Sequence, residues 1–183
     1  MASIREFNLV KLFVGILLSD LRLLPDAERL LTEDFGPLDL KSPVIPFSFT
    51  KYYEKEMGPS LQRIFLSFER LIVADRLPEI KRKTNTLEEE LAKLNRDVAR
   101  PANLDPGYIE HAKVILASTK NFYHRMYLGG GIFGEVTMHF RDNAFCFFPW
   151  TYPDYQSEDY LQFFLALRQI YREQLRTMCI AKH

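Results

Sequence analysis

Residues 10–18 (VKLFVGILL) form a nearly unbroken apolar run on both pleat faces, as expected of a strand covered on at least one side. In residues 25–35, Ala27, Leu30, Leu31 and Phe35 recur at helical spacing before the stop Gly36-Pro37, which predicts a first helix. Residues 44–50 (VIPFSFT) predict an edge strand, because Pro46 cannot donate to a ladder. Residues 63–73 alternate, with Ile64, Leu66, Phe68 and Ile72 on one face and Ser67 and Glu69 on a wetter one. The charges of residues 78–83 suit either a helical turn or an extended arm. Thr86 with Glu89 three residues on is a capping box, predicting a helix that turns Leu87, Leu91 and Leu94 inward. Residues 114–118 then read as a fourth strand.

Strand, helix, strand, strand, helix, strand is the order of a ferredoxin-like βαββαβ unit in an α+β protein, with both crossover helices on one face of an antiparallel sheet. Residues 125–128, 134–140 and 144–148 extend the sheet, the last two joined by a tight hairpin at residues 141–143. A long amphipathic helix over residues 156–178 closes the chain, with Tyr160, Phe163, Phe164, Leu167, Ile170, Tyr171, Leu175 and Met178 at spacings of three and four. No repeat or Gly/Ser linker divides the chain, so residues 1–183 are expected to form one α+β domain.

Composition narrows the function classes. Lysine plus arginine and aspartate plus glutamate balance at 24 each, so the summed charge offers no general attraction to nucleic acid or an anionic membrane. Any anion binding must be local. Cys146 and Cys179 form no CxxC pair and fit a reduced, cytoplasmic compartment. The apolar run at residues 9–18 is interrupted by Lys11 and followed by acidic Asp20 where small cleavage-site residues would be expected, so it reads as a strand rather than a secretory signal.

The densest group of polar side chains follows. Asp105-Pro106-Gly107 has the form of a helix start, with Asp105 as N-cap; exposed amides there, with Lys113 or Lys120 nearby, could hold a phosphate or carboxylate. Thr119, Lys120, His124 and Arg125 combine hydroxyl, ammonium, imidazole and guanidinium donors suited to an anion. Glu135, Thr137 and His139 fall on one strand face by period two, which makes Glu135 a candidate general base and His139 a second titrating group if that face lines a cleft. Tyr53 and Glu56, in TKYYEKEMG, supply ring stacking and an acceptor. The aromatic turn PWTYPDY is either a lid or a helix-entry staple. The triglycine at residues 129–131 lacks the GK[ST] of a P-loop and reads as a turn. No HExxH, EF-hand or DxD metal motif stands in the chain.

Taken in order, FSFTKYYEKEMG, KRKTN, NLDPGY, LASTK, HRMYL, EVTMHF and PWTYPDY resemble a prokaryotic family catalogued as domain of unknown function 4416. The likeness covers nearly the whole length and implies a cytoplasmic single-domain protein with no established activity. Some members carry a GTP-binding label; the Walker lysine motif is absent here, and the label is not carried over.

These readings converge on one expectation: a cleft that binds an anionic small molecule such as a nucleotide or phosphorylated metabolite. Lys81, Lys120, His124 and Arg125 would hold the anion, Tyr53 and Glu56 would line the pocket, and Asn85 and Asn103 would hydrogen-bond the ligand. Glu135 or Asp105 would handle a proton or a divalent metal such as magnesium; His124 joins them as a candidate catalytic group. The alternatives are an RNA-binding ferredoxin-like module, stacking bases on Phe145, Phe147, Tyr127 and Tyr152, and a non-enzymatic homo-oligomeric interaction protein.

Overall fold

The computed structural model describes residues 9–50, 52–95 and 98–180. It is a mixed α+β structure whose nine strands join one antiparallel sheet, with helices on both faces. The strands are β1 (Val10–Leu18), β2 (Leu38–Lys41), β3 (Ile45–Phe47), β4 (Leu61–Ile72), β5 (Ala102–Ile109), β6 (Lys113–Ser118), β7 (Met126–Gly129), β8 (Ile132–Arg141) and β9 (Ala144–Phe147). The helices are α1 (Leu24–Phe35), a single turn α2 (Glu54–Met57), α3 (Leu77–Leu94) and α4 (Glu158–Ile180). The sheet runs β2-β4-β1-β5-β6-β8-β7, with β3 also on β4 and β9 also on β8.

The pleat of β1 sorts the two cores. Val10, Leu12, Val14, Ile16 and Leu18 join Leu30 and Leu31 of α1 and Ile80, Leu87 and Leu91 of α3 in one buried cluster. Phe13, on the other face, meets Phe164 of α4 edge to face at 5.0 Å in a second cluster with Phe65, Phe163, Leu167 and Tyr171. An apolar strand on both faces thus becomes the middle layer of three.

The face of β4 expected to be wetter is buried through Phe65 and Ser67 and becomes exposed at Glu69. Phe65 stacks on Phe163 at 5.0 Å beneath α4, and Ser67 donates to Asp39 at 2.5 Å. Lys11, fully buried, is held by that same Asp39 carboxylate and donates to the Phe68 carbonyl at 2.6 Å. Burial pushes the Lys11 ammonium below its ordinary range, against the raising effect of Asp39.

Three other expectations are corrected. Thr86 does not start a helix: α3 begins at Leu77 with Pro78 in its first turn, and the Thr86 hydroxyl reaches back to the Arg82 carbonyl, while Leu94 faces solvent. Asp105-Pro106-Gly107 is not a helix start either, but the middle of β5, which pairs with β1 (Gly15 opposite Asp105, Val14 opposite Pro106). The strand that follows α3 is therefore β5, and residues 114–118, expected to be the fourth strand, form the next one, β6.

A proline is tolerated in β5 because its outer edge is open there. β6 pairs with β5 only from Gly107 to Ile109, and before that the two strands diverge. Leu104, two residues before Pro106 and so aimed toward the same edge, has its N–H and C=O taken by side chains of α3: it donates to Glu88 Oε1 and accepts from Lys81 Nζ, both at 2.8 Å. At Pro106 no ladder hydrogen bond is available to lose. The missing strand neighbour is replaced by an ion-bearing helix face.

Downstream, the hairpin between β8 and β9 turns through Asp142 and Asn143, both at positive φ (50° and 62°), as a two-residue turn matched to strand twist requires. Gly129, Gly130 and Gly131 all take positive φ and turn the chain from β7 into β8, as expected of a triglycine outside any phosphate loop.

Candidate functional site

The fork between β5 and β6 opens into a cavity of about 700 Å³. One branch of its wall is β5 with β1 and β4, the other β6 with β8, and α3 fills the gap from behind. Lys81, Asn85 and Glu88 lie at i, i+4 and i+7 along α3, beside its buried stripe of Ile80, Thr84, Leu87 and Leu91, and all three line the cavity. Phe47, Phe49, Tyr52, Tyr53, Tyr152 and Tyr155 supply aromatic walls.

The floor is a continuous polar network. Arg100 bonds Glu88 at 2.8 Å and also the Asn103 side-chain oxygen; Asn103 in turn donates to Asp105 at 2.5 Å. Lys81 and Arg63 each stand 3.5 Å from Asp105, and Arg63 Nε donates to the Tyr160 hydroxyl at 3.1 Å while its Nη2 lies 3.8 Å from Asp154. Gly15 lets the Arg63 guanidinium lie close over β1: a Cβ there would be 3.2 Å from Nη1.

On the β6–β8 branch, Arg125 makes four hydrogen bonds. It donates to Glu135 at 2.6 Å, to the Ser118 hydroxyl at 3.0 Å, to the Lys120 carbonyl at 2.9 Å and to the Tyr152 hydroxyl at 2.7 Å. His124 Nε2 lies 3.0 Å from the same Glu135 oxygen, with its ring stacked on Trp150 at 5.2 Å.

The electrostatics follow from burial and partners. Burial raises the Asp105 carboxyl, but Lys81, Arg63 and Arg100 together with the Asn103 amide outweigh it and hold Asp105 below the ordinary carboxylate range. Burial wins at Glu88 and Asp154, which are raised against the pull of Lys81 and Arg100 and of Arg63 respectively. Burial likewise drives the Tyr53 hydroxyl well up, so it is a neutral donor at any physiological pH.

Because the Asp105 value falls on folding, the ionised carboxylate contributes stability above about pH 4 that is lost as pH falls through its folded value. The stability gap between wild type and Asp105→Asn is accordingly expected to be widest at neutral pH and to shrink below about pH 4, read as urea midpoints across pH. A gap of constant size down to about pH 2 would contradict this role.

Of the residues singled out from sequence, Tyr53, Lys81, Asn85, Asn103, Asp105, Lys120, Arg125 and Glu135 line this one cavity. His124 sits behind the wall, against Glu135. Glu56 is exposed and does not line the cavity; its carboxylate lies 3.8 Å from Arg100. His139 is turned away: the β6–β8 register slips between Val114 and Ile115, so Lys113 faces His139 while Leu116 faces Glu135, and period two fails across the bulge. Asp105 is in the site as a strand residue rather than as a helix cap.

Arg63, Glu88, Arg100 and Asp154 also line the cavity and were not singled out. A charge at the start of the strand segment RIFLSF was the available signal for Arg63, and the i+7 spacing from Lys81 for Glu88. Asp154 lies in a single 3-10 turn within the aromatic segment PWTYPDY, and nothing local marks Arg100, which comes in from a loop. Among the described residues no group of three or more His, Cys, Asp or Glu is placed to hold a metal ion, and no helix is long and apolar enough to cross a membrane.

The molecule is thus an α+β protein with a cavity lined by aromatic and charged side chains at a fork in its central sheet. It belongs to the family described as Domain of unknown function (DUF4416), whose model matches residues 8–171. No curated protein and no solved structure matches the chain.

Proposed function

We propose that the cavity binds an anionic small molecule, such as a nucleotide or phosphorylated metabolite, with its charged end against Lys120. The observation that carries this reading is the charge balance of the lining. Arg63, Lys81, Arg100 and Arg125 are matched by Glu88, Asp105, Glu135 and Asp154 among the described lining residues, leaving Lys120 as a fifth cation. Lys120 has no carboxylate within ion-pair distance among the described residues; its ammonium contacts the Tyr52 hydroxyl and sits 4.4 Å from the Tyr52 ring centre. Tyr52 and Lys120 are both exposed, so this cation is accessible to a ligand at no cost in broken ion pairs. Asn85 and Asn103 supply hydrogen bonds deeper in, and Arg125, which the sequence suggested as an anion holder, serves in this reading to fix Glu135 and Tyr152.

Thermal-shift screening against nucleotides and phosphorylated sugars, with and without magnesium, tests the proposal. Binding at a ligand concentration one hundred times Kd should stabilise the protein by about 2.7 kcal/mol. Lys120→Ala should weaken that ligand about tenfold. No stabilisation by any member of the panel, or equal binding by the variant, would remove the reading.

We also read β1, α1, β2 with β3, β4, α3 and β5 as a ferredoxin-like unit, a reading supported by the order β2-β4-β1-β5 and by α1 and α3 sharing one core. A cytoplasmic location is supported by Cys146 and Cys179 both being free. RNA binding through an open aromatic sheet face draws weaker support, since Phe145 packs 6.4 Å from Phe164 under α4. A homo-oligomeric interaction protein is favoured by one specific feature, the exposed Phe122, Tyr123, Met126 and Tyr127 leading into and along the edge strand β7. A strictly monomeric mass in light scattering at high concentration would count against it.

A further inference from the structure

We infer that the floor of this cavity reads the hydrogen-bonding edge of a nitrogen heterocycle, so that the ligand is a nucleoside phosphate rather than a sugar phosphate. The inference rests on the anionic-ligand reading above and adds what the buried end of that ligand must be.

Arg63 is the starting point. Its side chain is 4 % exposed, yet Nη1 has no hydrogen-bond partner among the described residues. Asp105 Oδ2 is 3.5 Å away, close enough for ion pairing but outside hydrogen-bond geometry. A buried guanidinium donor left unmet is costly, and the cavity it lines is where a partner can enter.

An anion is a poor candidate for that partner. Asp105 and Asp154 flank Arg63 and already balance it, so a phosphate brought to Nη1 would meet two carboxylates. What the pair does offer is a donor and an acceptor side by side. The Asp105 side chain is 27 % exposed, against 4 % for Arg63, so its carboxylate opens to the cavity. A group with an adjacent acceptor and N–H donor satisfies both: the amide or amidine edge of a nucleobase.

The surroundings suit a planar ring. Phe47 lies beneath the guanidinium at 5.4 Å, Tyr53 meets Phe47 edge to face at 6.2 Å, and Tyr52 stands perpendicular to Tyr53 at 5.1 Å. These rings line the same cavity from its floor to Lys120 at its mouth. A base held at the floor and stacked on this wall would leave its phosphate to Lys120.

The test is isothermal titration of the full chain with the 5′-monophosphates of adenosine, cytidine, guanosine and uridine, and with ribose 5-phosphate. At least one nucleotide should bind tighter than ribose 5-phosphate by about tenfold or more. Gly15→Ala places a methyl 3.2 Å from Arg63 Nη1 and 3.0 Å from the Phe65 ring, displacing the guanidinium slightly without changing any charge. It should weaken the preferred nucleotide by about threefold or more and leave ribose 5-phosphate unchanged. Arg63→Lys, which keeps the charge and loses the fork, should abolish the preference; if it does not fold, Gly15→Ala carries the test alone. Equal binding of ribose 5-phosphate and every nucleotide overturns the inference and leaves the anionic-ligand reading standing. A nucleotide preference unaltered in Gly15→Ala also overturns it. If none of the five binds, the inference falls, and the wider metabolite screen with Lys120→Ala decides the reading beneath it.

Discussion

Replacing Gly107 by alanine is expected to cost about 3 kcal/mol or more of folding stability, at or above the upper end for inserting a methyl into a closed core. Gly107 lies opposite Leu116 where β6 closes onto β5. A Cβ there would stand 2.4 Å from the Ile115 carbonyl oxygen and 2.6 Å from Phe13 Cζ. The carbonyl belongs to the backbone of a paired strand and cannot swing aside as a side-chain tip can. Relief would require β6 to move off β5 at the point where the cavity begins, so ligand binding should fail together with stability. Urea denaturation reads the first effect and titration the second; a loss within about 1 kcal/mol would mean that the two strands have more freedom than their register implies.

The second large effect is expected from Arg63→Met. Removing one member of a buried ion pair typically costs about 3 to 5 kcal/mol, because the partner is left charged and unsolvated. The buried Asp154 carboxylate is the partner left stranded. Asp105 keeps Lys81 and Arg100 when Arg63 is lost, whereas the ion pair that Asp154 makes among the described residues is with Arg63. Burial already raises the Asp154 carboxyl with Arg63 in place, so the variant should take up a proton there. Its stability deficit should therefore narrow on acidification, and the double variant Arg63→Met with Asp154→Asn should recover a substantial part of the loss. A double variant no more stable than Arg63→Met alone would show that the cost comes from lost packing on Phe47 and Phe65 rather than from the stranded carboxylate.

Both effects concern residues whose weight is hard to see in one dimension. Gly107 reads as a helix opening after Asp105-Pro106, since aspartate, proline and glycine favour caps and turns wherever the backbone has an alternative. It is in fact a strand position, because β1 supplies a ladder on one side and α3 supplies Lys81 and Glu88 on the other. Thr86 misleads for a related reason: a good capping sequence is overridden once the apolar stripe continues upstream through Leu77, Ile80 and Thr84. The pairing of Glu135 with His139 fails through a single extra residue in β8, which reverses every face beyond it.

Periodicity and residue chemistry, read along the chain, were enough to determine the α+β character, the doubly apolar β1, the edge position of Ile45–Phe47, the Asp142-Asn143 hairpin and the long closing helix. Each of these depends on neighbours within a few positions, where spacing alone specifies which side chains share a face. The polar residues later found around the cavity were conspicuous for a similar local reason, as charges and amides that no apolar core requires. Their convergence was a tertiary matter. It depends on where β6 leaves β5, on which helix face fills the gap, and on a bulge that turns Glu135 inward and His139 away. Strand divergence and register are settled between segments far apart in sequence, by competition among ladder bonds, side-chain bonds and packing, and no local pattern encodes the winner.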